Sequence, residues 1–366
     1  MESKRLYFID IIRAFAIIMM LQGHFIDTLL NTTYRDLNLI PFAVWSYFRG
    51  ITAPTFFTIS GLIFTYLLLK AKEKDDEKQR MRKGIIRGFF LIFVGYLIRI
   101  PILQWLSGSF NTYFLVVDVL QCIGLSLICI IVLYFLSAKK LVLFSCVTLF
   151  VGVLIFLTEP LYRVVNFESV PLILRNYISK NRGSIFTIIP WFGYFSFGAF
   201  LATLFYTNLQ KRNFKAIAVS SFIFTGAILI FYSSYLLAEI SKATNIQLFM
   251  DSASYNYLFT RLGNVFLYFA FFYAFEKYLK FPLLLKIGQK TLSIYVIHFI
   301  LIYGSFTGIG LKLIGKTLAP WQAVFGAISF ITCVCFISFY YVKTNAFVYK
   351  NLRNFFDTAK NKKIQG

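Results

Sequence analysis

Ten stretches of the chain are long and apolar enough to form helices crossing ~30 Å of hydrocarbon, a span needing roughly 20 residues. They fall at about 9–30, 51–69, 85–103, 113–136, 141–157, 185–205, 216–237, 257–275, 291–309 and 321–341. The polar segments between them are short, and none reads as a soluble domain. The expected fold is all-α: a polytopic membrane protein of about ten transmembrane helices, with residues 1–341 as a single transmembrane domain and 342–366 as a basic tail. The longest connection, about 158–184, reads as an outer loop long enough for a short lid. FPLLLKIGQK (281–290) reads as an interfacial helix.

Composition agrees. Of 366 residues 58% are hydrophobic and 14% charged, and the mean hydropathy is +0.71. The 45 Phe and 23 Tyr suit rings placed in lipid and at its interfaces. A net charge of +22 would suit nucleic acid if it were gathered on one face or arm; here the cations fall between apolar segments, so the expected partner is membrane lipid and not nucleic acid. With the N-terminus in the cytoplasm, the inner segments hold 24 Lys and Arg and the outer segments 9. That asymmetry follows the positive-inside rule and puts both termini in the cytoplasm. The expected location is a bacterial cytoplasmic membrane. All five cysteines lie in apolar runs without a CxxC pair and read as packing residues. The opening ESKRLYF and the apolar run behind it resemble a secretory signal. The run is longer than a signal's core and carries ionisable groups, so it is expected to remain as the first span.

That first span carries the candidate chemistry. DIIRAFAIIMMLQGHFID (10–27) holds Asp10, Arg13, His24 and Asp27, and ionisable groups within a span point to function. Arg13 and His24 are eleven residues apart. At ~100° and ~1.5 Å per residue they project from one face, ~16 Å apart along the axis. Asp10 precedes Arg13 by three residues and Asp27 follows His24 by three, giving each a neighbour on the same face. The reading is a cationic anchor near the inner leaflet and a carboxylate-backed imidazole toward the outer one.

Further polar groups collect in the outer half. They are Arg49, Asp118 and Gln121 of DVLQCIGL, Trp191, and Arg261 and Asn264; His298, which with His24 makes up the chain's two histidines, reads as mid-span. Asp118 and Arg261 read either as part of an outward-facing pocket or as an ion pair locking helices. Pro190-Trp191 is expected to break the sixth span, and such breaks often border cavities. On the inner side, KAKEKDDEKQRMRKGIIR (70–87) reads as a solvated connector or as a phosphate-attracting mouth of Arg80, Arg82, Lys83 and Arg87. Gly193 and Gly198 permit close helix packing, and homo-oligomers are left open.

No GxSxG elbow, HExxH, phosphate loop or Cys/His metal spacing is present, so no metal is expected. A histidine with a carboxylate neighbour suits a general base or a transient acyl carrier. An inner cation ~16 Å from an outer base suits one long donor with an anionic head, such as a nucleotide-headed thioester.

The Arg13…His24 spacing resembles the signature of transmembrane acyltransferases, including the acyltransferase 3 family. Other stretches are similar to the heparan-α-glucosaminide N-acetyltransferase-like branch. They run in order: FIDIIRAFAIIMMLQGH (8–24), TAPTFFTISG (52–61), RGFFLIFVGYLI (87–98), DVLQCIG (118–124), IIPWFGYFSFG (188–198) and LSIYVIH (292–298). Ala14 departs from the branch's usual Gly, and Cys122 stands where the branch often has Arg.

This resemblance implies transfer of an acyl group, commonly acetyl, from cytosolic acetyl-CoA or another acyl-CoA to a hydroxyl or amine of a sugar or glycan beyond the membrane. Carried onto this chain, His24 becomes the base or acyl acceptor and Asp27 its orienter. Arg13, Arg82, Arg87 and Gln121 become donor-binding residues. Arg49, Asp118, Trp191, Arg261, Asn264 and His298 are assigned to the acceptor side or the proton path. A secondary transporter or flippase is the rival reading, though no internal repeat pairs the halves. A non-enzymatic sensor, with the intramembrane charges as helix glue, is a third.

Overall fold

The computed structural model describes residues 6–340 except 166 and 182. The tail predicted for 342–366 lies outside the described residues.

The long helices are α1 (Tyr7–Leu29), α2 (Ile40–Lys72), α3 (Glu77–Leu97), α4 (Val119–Leu136) and α5 (Leu141–Val164). They continue with α6 (Ile188–Asn208), α7 (Phe214–Phe231), α8 (Tyr257–Ala274), α9 (Thr291–Tyr303) and α10 (Pro320–Tyr340). Among the described residues there is no strand, only an isolated bridge between Leu30 and Leu318. Seven of these helices are long and apolar enough to cross a membrane. The helix Pro282–Gln289 and α9, bent by 73° at their junction, make an eighth if they form one span. The basic first half of α3 and the pair Arg261 and Asn264 in α8 lower the hydropathy of those two helices.

Several boundaries differ from expectation for local reasons. Helix α2 begins at Ile40, not near 51, so Arg49 is a helical residue instead of a loop residue. It continues past Pro54, whose carbonyl accepts from the Thr58 hydroxyl at 2.9 Å. The break expected at Pro190-Trp191 falls in the first turn of α6: Ile189 is extended (φ −101°, ψ 126°), and the helix runs on from Pro190, whose missing N–H costs nothing in a first turn. The ninth stretch ends at Tyr303 because Gly304 turns left-handed (φ +79°).

Packing rests on small residues, as expected where lipid provides no hydrophobic drive between helices. Helix α2 crosses α6 so closely that a Cβ on Gly198 would run into the Thr58 carbonyl. Gly88 of α3 and Gly124 of α4 each face the other's carbonyl oxygen, and Gly226 of α7 and Gly263 of α8 do the same. Gly288 of the short helix Pro282–Gln289 lies against the Asp10 carbonyl of α1. That contact sets α9 alongside α1 and so positions the site.

Candidate functional site

Helices α1 and α9 run side by side in the same direction. Near their starts, Arg13 donates to the Thr291 hydroxyl at 2.7 Å. Near their ends, Nδ1 of His24 lies 2.9 Å from the Tyr303 hydroxyl, and the His24 and His298 ring centres are 5.2 Å apart. The shared face expected for Arg13 and His24 is thus realised, and one helix receives both.

His24 is half-buried, and with Nδ1 engaged by Tyr303 its Nε2 is the nitrogen left for chemistry. His298 is fully buried, and neither of its ring nitrogens has a protein partner among the described residues. Tyr295, a turn earlier on α9, packs edge-on against it with ring centres 4.9 Å apart.

No hydrogen bond joins Asp27 to His24 among the described residues, unlike the orienting contact expected. Its carboxylate pairs with Arg49 of α2 and, at 3.2 Å, with Arg35 of the following loop. Arg35 also donates to the Ile26 and Asp27 carbonyls, closing the free end of α1. A carboxylate flanked by two guanidiniums is drawn to them and away from a neutral imidazole, so the three-residue spacing misled.

Asp118 does not pair with Arg261. It receives a 2.6 Å hydrogen bond from Arg99, which lies just past the end of α3 with its guanidinium over the Phe299 ring, 5.3 Å from its centre. Asp118 also caps α4 through the Val119 amide at 2.8 Å, while Gln121 accepts from the Asp118 amide at 3.2 Å. This reciprocal capping box gives Gln121 a local role at the start of α4. Asn264 is likewise committed: it accepts from Tyr47 at 2.7 Å and donates to the Thr260 carbonyl at 2.9 Å, tying α8 to α2. The Arg261 guanidinium lies against Gly50 of α2. Trp191 packs among Phe57, Phe186 and Tyr194, with its indole N–H on the Ile185 carbonyl at 3.2 Å.

The other end of the α1 face opens on a cavity of about 560 Å³ between α1, α2, α3 and α4. Arg13, Arg80, Lys83 and Arg87 line it together with apolar residues such as Ile63, Phe64 and Leu127, and no carboxylate lines it. Arg82 does not belong to it. Positions 80, 83 and 87 share one face of α3, whereas Arg82 lines a separate cleft with Val132 and Phe135. Helical spacing alone separates Arg80 from Arg82, and that signal was available in the sequence. A second cavity of about 700 Å³ adjoins the first and shares Ile63, Leu67, Arg80 and Lys83 with it. Tyr303 and Arg99, which complete the cluster at this end of α9, had no spacing signal to reveal them.

The chain is thus a helical membrane protein with a cationic cavity at one end of a helix pair and an imidazole cluster at the other. The chain matches the family "heparan-alpha-glucosaminide N-acetyltransferase, catalytic" over residues 5–237, more than half its length, and belongs to that family of membrane acetyltransferases. The match takes in α1 to α7, including Arg13, His24 and the cationic cavity; His298 and Tyr303 lie beyond it. No curated protein matches the chain.

Proposed function

We propose that this protein moves an acyl group, acetyl in the first instance, from cytosolic acyl-CoA to a hydroxyl or amine of a sugar or glycan on the far side of the membrane. The observation that carries the proposal is the placement of Arg13 and His24 along one helix pair, with the four-cation cavity at one end and the His24–Tyr303–His298 cluster at the other. Four cations line the cavity and only Arg13 has a carboxylate beside it, Asp10 at 4.0 Å, so the lining is net positive and favours an anionic occupant; Arg suits phosphate through its planar fork of donors. The head of the donor is held by Arg13, Arg80, Lys83 and Arg87, and its thioester reaches toward His24. In this reading about ten helices cross the membrane, both termini are cytoplasmic, and the membrane is the bacterial cytoplasmic one.

At the far end, Nε2 of His24 removes the proton from the acceptor as its oxygen or nitrogen attacks the thioester carbonyl. The carbon–sulfur bond breaks, and the departing thiolate recovers the proton from the imidazolium. In the two-step form, Nε2 itself takes the acyl group and passes it to the acceptor. Tyr303 fixes the ring through Nδ1, as the third member of a triad does. The acceptor role proposed for His298 is supported by its ring lying 5.2 Å from that of His24.

Purified protein in nanodiscs, given acetyl-CoA labelled in the acetyl group and a panel of soluble sugars and amino sugars, tests the reading. Label on a sugar, with free CoA released in equal amount, is the expected result. In proteoliposomes, uptake of an unmodified sugar with no CoA released would contradict it and favour a transporter.

A further inference from the structure

A groove of about 620 Å³ opens between α6 and α7 at the end of the molecule that holds the four-cation cavity. Its back wall is aromatic: Phe205 meets Phe214 and Phe222, and Phe205 also stacks on Phe8 at the start of α1 with ring centres 5.6 Å apart. Its sides are apolar and turned outward, with Ile217 61% and Leu204 39% exposed.

Two features set this groove apart from an ordinary lipid-facing seam. Lys211 and Arg212, in the turn joining α6 to α7, stand at its lip. Neither side chain has a hydrogen bond or ion pair among the described residues, and no carboxylate lines the groove. Two turns into α7, the exposed Ser221 hydroxyl also has no hydrogen-bond partner among the described residues.

We propose that this groove binds a membrane phospholipid with an anionic headgroup. Its phosphate meets Lys211 and Arg212 at the lip, and one acyl chain runs inward along Leu204 and Ile217 past Ser221 to Phe266. A basic lip over an apolar groove between spanning helices is the chemistry that selects acidic headgroups from neutral ones. The volume falls within the range of roughly 300–1,000 Å³ usual for small-molecule sites. The site is separate from the donor cavity and does not depend on the proposed reaction.

Native mass spectrometry tests this on full-length protein in mild detergent, offered phosphatidylglycerol and phosphatidylcholine of identical chains at equal concentration. Wild type is expected to retain phosphatidylglycerol about tenfold over phosphatidylcholine. The Lys211→Gln/Arg212→Gln variant loses that preference, and Ser221→Phe, which fills the groove at constant charge, loses retention of both lipids. Lys277→Gln/Lys280→Gln removes two cations outside the groove and keeps the wild-type pattern. Circular dichroism and a thermal melt confirm that each variant is folded, and single Lys211→Gln and Arg212→Gln variants replace the double one if it is not. Equal retention of the two lipids by wild type would overturn the proposal. So would an unchanged preference in the lip variants, or an equal loss in the Lys277/Lys280 control.

Discussion

The Tyr303 hydroxyl lies 2.9 Å from Nδ1 of His24, joining residues 279 positions apart in the chain. This contact engages Nδ1 and leaves Nε2 for the proposed chemistry, and it is made from the end of α9, just before the left-handed turn at Gly304. Tyr303→Phe removes the hydroxyl and keeps the ring. A buried polar group left without its partner costs ~1–3 kcal/mol, so kcat is expected to fall by roughly ten- to a hundredfold. The KM for acyl-CoA should stay near its wild-type value, because the donor cavity is untouched. Steady-state kinetics on the two proteins check this split.

Asp27 is engaged by Arg35 and Arg49 and not by His24, and its substitution should therefore look structural. Asp27→Asn is expected to lower the thermal midpoint by the loss of charged hydrogen bonds, ~1.5–3 kcal/mol. Its kcat should fall less than that of Tyr303→Phe. A larger loss of kcat in Asp27→Asn than in Tyr303→Phe would return the orienting role to the carboxylate.

The donor cavity predicts a contrast along one helix. Arg87→Gln and Arg13→Gln each remove a cation from a cavity that no carboxylate lines, and each should raise the KM for acyl-CoA by about tenfold, the equivalent of ~1.4 kcal/mol. Arg82→Gln removes the same charge from the other side of α3 and should leave KM within about twofold of wild type. Equal effects at Arg82 and Arg87 would mean that diffuse charge, not a built cavity, attracts the donor.

Arg99 and Asp118 form a largely shielded pair, with side chains 10% and 16% exposed. Removing one partner strands the other, at a cost of ~3–5 kcal/mol when burial is complete and somewhat less here. Arg99→Gln and Asp118→Asn are each expected to lower the unfolding midpoint, and the double variant to lose less than the sum of the two. A double-mutant cycle followed by thermal unfolding in detergent measures that coupling.

Relations within one helix were legible in the sequence, and those between helices were not. The shared face of Arg13 and His24 follows from the 3.6-residue period alone, and the structure sets both against α9. The same period distinguishes Arg80, Lys83 and Arg87 from Arg82, although the charge-rich stretch as a whole obscured it. Asp27 shows where the approach stops. Three residues from His24 is the right spacing for a helical neighbour, but two guanidiniums from the next loop and helix compete more strongly for its carboxylate. Asp118 found Arg99 instead of Arg261 for a similar reason, since pairing depends on which helix ends meet. Tyr303 is one of 23 tyrosines, and only the course of α9 brings its hydroxyl to His24.

The most direct measurement is the rate of acetyl transfer by His24→Ala beside wild type, in nanodiscs, at saturating acetyl-CoA and acceptor. Acyl transfer through Nε2 predicts a loss of at least a hundredfold in kcat, the lower end of ~10²–10⁴ for removal of a general base, with binding of acetyl-CoA preserved. Transfer by His24→Ala at the wild-type rate would contradict the account.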